Sequence, residues 1–257
     1  MKRCWNRVKT PTLLLALTLL VGCSTAPPEP TITSATKHPL EQNALDALAF
    51  NLTEQAEFSL LAALQHYESI DDLPGQWRTR HTLTSLALSR EDHAGASKHV
   101  KVLALIAPQL KQDHISYKTS LMLGRIHTDE SYFRQAISFA SSDMERAVAE
   151  SYLGNTAKAA QMITDAGSDA PNDKAFVLYR HAKASGSKSH YKLALDAYKI
   201  AGDSRGVADS LVSLAKLEAD QGAKGSARTY ARRAIRVLNS INDKARAKKV
   251  SDWLDSL

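Results

Sequence analysis

Cysteine is almost absent from this chain: among 257 residues there are only two, Cys4 and Cys23. Residues 24–257 therefore offer no thiol that could form a disulfide, ligate a metal or act as a nucleophile. A domain built from them must be stabilised by a packed core. Glycine and proline are sparse as well, and no segment alternates valine, isoleucine and threonine as a β-strand would. These absences favour long helices.

Sequence motifs of catalysis and metal binding are also missing. The nine histidines include no His-Glu-x-x-His pair and no Cys/His cluster, so a zinc site has no support. His93 and His127 are predicted to be helix-surface residues. Residues 202–206 fit Gly-x-Ser-x-Gly, but a hydrolase elbow needs a strand before the serine. Because both flanks are predicted to be helical, we interpret 202–206 as a turn, and we predict no catalytic residue, no metal and no cofactor.

The first 22 residues have the pattern of a secretory signal peptide. Residues 1–9 carry four basic residues and no acid, and residues 10–21 are mostly apolar. About a dozen apolar residues are too few for a membrane-spanning helix, which needs roughly 20. The stretch Leu20-Val21-Gly22-Cys23 then resembles the lipobox of bacterial lipoproteins. The alternative is an ordinary cleaved signal with an incidental cysteine.

The lipoprotein resemblance implies cleavage before Cys23, a diacylglycerol thioether on its sulfur and an acylated, palmitate-type amino terminus. Several acyl chains on one residue anchor a protein stably, whereas one chain is marginal. An Asp after the cysteine favours retention at the inner membrane in this family, so Ser24 implies the outer membrane, facing the periplasm. Residues 23–38, which include three prolines, are predicted to be an extended tether.

Loss of the signal would also change the charge balance. The full chain has a net charge of +6, but residues 1–22 hold four bases and no acid, which leaves +2. This small excess, together with a periplasmic location, gives no reason to expect a nucleic-acid partner.

From residue 39 to residue 257, apolar residues recur at helical spacing, which predicts an all-α domain. One set of three residues recurs five times. It consists of a small residue and the residues four and seven positions after it, most of which are apolar. The five sets are Ala56-Leu60-Ala63, Ala96-Val100-Leu103, Ala159-Ile163-Ala166, Ala194-Tyr198-Ala201 and Ala227-Ala231-Ala234. The last two sets are 33 residues apart. Pro108 and Pro171 each come five residues after a set, where we expect a helix to stop.

This pattern resembles the tetratricopeptide repeat, a helix-turn-helix unit of about 34 residues. It is clearest over residues 207–239, with Gly222 at the turn. Upstream the usual aromatic residues are mostly missing, residues 131–153 are short for a unit, and residues 187–190 look like an insertion. We predict a tetratricopeptide-like α-solenoid over residues 39–257, with five or six helix pairs. A capping helix over 243–257 would place Trp253 and Leu254 on the open end.

Two surfaces of this solenoid are candidate binding sites. If the inner-groove positions of the repeat family carry over, the groove of the last two units is lined by Arg180, Lys183, Asp209, Val212 and Lys216. Residues 223–257 hold nine basic and three acidic residues, and their basic face consists of Lys224, Arg228, Arg232, Arg233 and Arg236. That face is either a solvated outer surface or a contact for an anionic lipid or acidic protein.

Repeat solenoids usually hold another chain on their concave surface. The sequence therefore predicts a non-enzymatic lipoprotein adaptor that binds an envelope protein. Repeat lipoproteins of similar layout act in secretin assembly, as peptidase adaptors and as regulators of peptidoglycan synthases. The alternatives are a structural subunit of an envelope machine and a peptidoglycan-acting enzyme.

Overall fold

The structure, a computed structural model, describes residues 37–165 and 170–257. The predicted signal peptide, the lipobox with Cys23 and most of the predicted tether lie outside the described residues, as does Ala166. Residues 34–257 form one compact unit. Within the described ranges no helix combines the length and the apolar character that crossing a bilayer requires.

The described residues form thirteen helices and no strand. The helices are α1 (Pro39–Ala49), α2 (Thr53–Ser69), α3 (Leu73–Ser89), α4 (His93–Leu110), α5 (Asp113–His127), α6 (Glu130–Phe139), α7 (Asp143–Tyr152), α8 (Thr156–Asp165), α9 (Pro171–Ser185), α10 (Lys188–Ala201), α11 (Ser204–Asp220), α12 (Lys224–Ser240) and α13 (Lys244–Asp255). Each helix packs against the helix before it and the helix after it. They therefore form six consecutive pairs followed by α13, and the predicted all-α helical-repeat solenoid is confirmed.

The recurring small-apolar sets lie on the second helices of five of the six pairs: α2, α4, α8, α10 and α12. The first alanine of every set is fully buried. A small side chain at this position lets two helices approach closely. Ala194 packs in one cluster with Ala175 and Leu178 of its own pair, and Ala234 packs with Leu211 and Leu214 of its own pair.

The third pair has no such set, and the shortest helices of the solenoid begin with its second helix, α6. Residues 131–153, predicted to be short for a unit, contain α6 and α7, which have ten residues each. Residues 187–190 are not an insertion. The hydroxyl of Ser187 accepts a hydrogen bond from the backbone N–H of His190, and this contact starts α10.

Only one of the two prolines departs from the prediction that a helix stops there. Pro108 does not stop α4, which continues to Leu110 before Lys111 adopts a left-handed conformation. Before Pro171 the helical conformation is interrupted at Ala170, and the proline itself is the first residue of α9. Proline is suited to this first position because the N–H it lacks would have no partner there.

A spacing that the sequence analysis missed connects neighbouring pairs. Tyr67 is followed five residues later by Asp72 and eight residues later by Gly75, and Tyr198, Asp203 and Gly206 repeat this spacing. Both aspartates cap the following helix by accepting the glycine N–H at 3.0 Å. In both places the glycine lies against the tyrosine ring, since an added Cβ would lie 2.3 Å from a ring carbon. The glycine is needed for this close packing.

The C-terminal helix packs on the last pair as the prediction of a cap requires, but through different residues. Asp243 caps α13 by accepting the N–H of Arg246 at 3.2 Å. Ala247 is buried with Leu238, and Val250 packs against the same cluster. Trp253 and Leu254 are only half-buried. The contact therefore lies near the start of α13, because that end is where the chain turns back from α12.

The solenoid also curls back towards its own beginning. Arg205, in the first turn of α11, donates a hydrogen bond to the side-chain oxygen of Asn51, in the turn between α1 and α2. This contact joins residues 154 positions apart and brings the first pair beside the sixth.

Candidate binding groove

The first helices of the last two complete pairs, α9 and α11, form a groove that contains four of the five predicted groove residues. Lys183, Asp209, Val212 and Lys216 line a single cavity of about 360 Å³. On α11 the three residues follow the i, i+3, i+7 spacing that places side chains on one helix face. Lys183 lies in the last turn of α9, just before Gly186 ends that helix in a left-handed conformation.

The floor of this cavity is aromatic and hydrogen-bonded. The hydroxyl oxygens of Tyr179 and Ser213 are 3.0 Å apart, which ties α9 to α11. Tyr191 from α10 lies edge-on to Tyr179, with ring centroids 5.7 Å apart. Burial raises the pKa of both tyrosines, so their hydroxyls stay protonated at neutral pH. The groove thus has a fixed floor and exposed lysines at its rim.

Asp209 forms an ion pair within the chain. Its carboxylate pairs with the guanidinium of Arg246 on α13. Burial raises the pKa of Asp209, and the positive charge of Arg246 opposes that rise. Asp209 therefore links the groove helix to the C-terminal helix, whereas the ammonium groups of Lys183 and Lys216 form no ion pair with any described residue.

Arg180 lies beside the cavity and not in its lining. Its guanidinium carbon is 4.5 Å from the ring centroid of Tyr152 and 5.7 Å from that of Phe176. Its Nε also donates to the backbone oxygen of Ser151 at 3.1 Å. Arg180 thus packs the fifth pair against α7, a role that its sequence position did not reveal.

A second cavity of about 400 Å³, not predicted from the sequence, is lined by residues of α3, α5, α7 and α9 together with Tyr198 and Asp203. His81, Lys118, Arg125, Asp173 and Phe176 are among the residues that line it. Burial, reinforced by Lys118 and Arg125, lowers the pKa of His81 to about 4. Burial raises the pKa of Asp173. The i, i+3 spacing of residues 173 and 176 indicates that the two side chains share one helix face. Nothing in the sequence showed which other helices line this cavity.

The predicted basic face separates into three kinds of residue. Lys224 donates to the backbone oxygen of Leu257 at 2.8 Å. Arg233 is half-buried, with its guanidinium carbon 5.6 Å from the ring centroid of Tyr230. The remaining three are exposed and form no ion pair with a described residue: Arg228, Arg232 and Arg236.

Two of the residues considered for catalysis, Ser204 and His93, are the first residues of helices. Ser204 of the Gly-x-Ser-x-Gly stretch is the first residue of α11, and helix α10 precedes it where a hydrolase would have a strand. His93 is exposed at the start of α4, next to Asp92, which caps that helix. In the ranges that the structure describes, no three His, Cys, Asp or Glu side chains are grouped so as to hold a metal.

Comparisons with known proteins found similar solved structures but no related sequence family. No family model matches it, and no curated protein matches its sequence. The solved structures that are similar include two with tetratricopeptide repeats. One is a signal-transduction ATPase with a tetratricopeptide-repeat sensor from Pyrococcus horikoshii, at 17% identity and a TM-score of 0.43, covering 82% of this chain and 31% of that one. The other is a tetratricopeptide-repeat protein from Parabacteroides merdae, at 14% identity and 0.36, covering 82% and 95%. The chain spans less than a third of the first protein.

Proposed function

We propose that this chain is a non-enzymatic lipoprotein scaffold, anchored through Cys23 to the outer membrane and facing the periplasm. Its groove between α9 and α11 binds an extended segment of an envelope protein. The observation that supports this proposal is the cavity of about 360 Å³ in which the exposed Lys183 and Lys216 flank a tyrosine floor.

The chemistry of the groove suits a polypeptide segment. Val212 and Leu217 offer apolar contact, while the hydroxyls of Tyr179 and Ser213 can bond a peptide N–H or C=O. Lys183 and Lys216 add positive charge at the rim, which favours acidic side chains in the bound segment. The fixed floor reduces the entropy that ordering the site would cost on binding.

The groove proposal is tested by crosslinking in the bacterium that makes the protein, followed by affinity capture of a tagged chain. The test variant is Lys183→Ala with Lys216→Ala, since neither ammonium is paired within the described residues. The control is Lys98→Ala with Lys101→Ala, two exposed lysines on α4. Arg180 is left unchanged because it packs on Tyr152.

We expect one envelope protein in near-equal amount from the wild type and the control, and its loss from the groove variant. Recovery of the same protein with the groove variant would contradict the assignment of the groove. Recovery of only lipid and abundant outer-membrane proteins from all three would contradict the adaptor function itself.

The anchor is tested separately. The lipobox resemblance supports acylation of Cys23, so growth with a labelled fatty acid should label the wild-type chain and leave Cys23→Ser unlabelled. Separation of inner from outer membranes then tests the outer-membrane location that Ser24 implies. A labelled Cys23→Ser chain, or an unlabelled wild type, would contradict the proposed anchor.

A further inference from the structure

The outer face of α12 carries a purely cationic stripe. The helix has five basic residues and no acidic one in 17 positions. Arg228, Arg232 and Arg236 are exposed and form no ion pair with any described residue. The three acids of the C-terminal region are all on or at the start of α13, where Asp243 and Asp252 pair with Arg246 and Lys248. No acid of the described residues therefore forms an ion pair with the stripe.

The stripe is held rigidly. The opposite face of α12 is buried through Ala227, Ala231, Ala234 and Leu238. Residues four apart rise by about 6 Å along a helix, so the stripe is roughly 12 Å long and drifts slowly around the axis. Three guanidinium groups are thus presented side by side from a helix fixed to the core.

We propose that this stripe, Arg228, Arg232 and Arg236, binds the phosphate groups of an anionic membrane surface. Arginine is suited to this because its planar fork of donors binds a phosphate bidentately. Clusters of basic residues on a helix adsorb to anionic lipid head groups by charge alone, with each residue adding to the affinity.

The surface chemistry favours a lipid surface over a protein. Energetically important protein contacts are usually built around aromatic or apolar anchors that become buried. None of the exposed large hydrophobic residues of the described chain lies on α12. A stripe of charge without an apolar anchor can adsorb to head groups without inserting, and its binding must weaken as salt screens the charges.

This inference does not depend on the groove. It is strengthened by the proposed anchor, because a tethered domain meets its membrane at a high effective concentration. The test therefore uses a chain that begins at Ser24, which lacks Cys23 but retains the whole compact unit of residues 34–257. Vesicle binding by this chain reports on the stripe without the anchor.

Binding is measured by co-sedimentation with vesicles of phosphatidylglycerol and phosphatidylcholine, and with vesicles of phosphatidylcholine alone. The test variant is Arg228→Glu, Arg232→Glu and Arg236→Glu together. A matched control, Lys98→Glu, Lys101→Glu and Lys192→Glu, makes the same change in net charge at exposed positions elsewhere. If the glutamate variant melts early by circular dichroism, a glutamine triple variant replaces it.

We expect the wild type to bind only the anionic vesicles, with an affinity that falls as salt rises. The stripe variant should lose roughly a hundredfold or more in affinity, since three basic contacts are lost, and the control should lose little. Equal binding to both kinds of vesicle, unchanged binding by the stripe variant, or an equal loss in the control would overturn the proposal. Binding to polyglutamate but not to vesicles would overturn the lipid proposal and indicate an acidic protein as the ligand.

Discussion

The guanidinium of Arg180 stacks on the ring of Tyr152, with 4.5 Å between the guanidinium carbon and the ring centroid. This contact joins α9 to α7 and is partly shielded from water, where a cation–π interaction is strongest. Arg180→Ala should therefore lower the free energy of unfolding by about 1–3 kcal/mol, through the lost stacking and the lost hydrogen bond to Ser151. Thermal or urea unfolding measures the change.

The exposed Lys183 provides the control for this prediction, because it lies on the same helix without a packing role. Lys183→Ala should change the stability by less than about 0.5 kcal/mol. Arg180→Lys would keep the charge but not the planar group, and should recover only part of the stability. An Arg180→Ala chain as stable as the wild type would show that the stacking contributes nothing.

The ion pair of Asp209 with Arg246 should hold α13 on the solenoid. Arg246→Ala should speed amide hydrogen exchange in α13 more than in α11 or α12. The global loss should stay below about 1 kcal/mol, since both side chains are partly exposed. Lys248→Ala is the control, because its ion pair with Asp252 lies within α13. Unchanged protection of α13 in Arg246→Ala would refute the linking role of Asp209.

His81 should make the fold sensitive to acid. Its pKa is about 4 in the folded chain, against 6.5 for a free histidine, because burial and the positive Lys118 and Arg125 disfavour its protonation. The folded state then binds fewer protons than the unfolded state between these two values. Protonation of His81 therefore leaves the free energy of unfolding unchanged above pH 6.5. As the pH falls from 6.5 towards 4, it lowers the free energy of unfolding by up to ~3 kcal/mol.

The measurement is the free energy of unfolding against pH for the wild type and for His81→Asn. The variant should be less stable at pH 7, because it loses the stacking on Trp77, at 5.0 Å between ring centroids. It should nevertheless show a shallower fall between pH 6.5 and 4. A slope unchanged in His81→Asn would exclude this histidine as the source.

The sequence predicted the features that depend on local periodicity. The recurring alanine sets, the turn at Gly222 and a C-terminal helix starting near residue 243 all follow from spacing along one or two helices. What it missed depends on distant contacts. Nothing near Arg180 indicates that Tyr152 lies beneath it, and nothing near Asn51 indicates Arg205, 154 residues away. Four of the five predicted groove residues line one cavity, whereas Arg180 packs on Tyr152, and such partners in neighbouring pairs could not be read from the sequence.

The repeated close approach of tyrosine and glycine gives a prediction with an internal contrast. A Cβ at Gly206 would lie 2.3 Å from the ring of Tyr198, whereas nothing lies within 4 Å of a Cβ at Gly225, inside α12. Gly206→Ala must therefore displace the ring or separate α10 from α11, at a cost of about 1–3 kcal/mol.

Gly225→Ala should stabilise the chain by about 0.5–1 kcal/mol, because alanine loses less backbone entropy in a helix. The same substitution should thus have opposite signs in two helices of one pair, as measured by urea unfolding. Stabilisation by Gly206→Ala would show that the tyrosine ring moves aside freely, and would remove the packing reason for the repeated glycine.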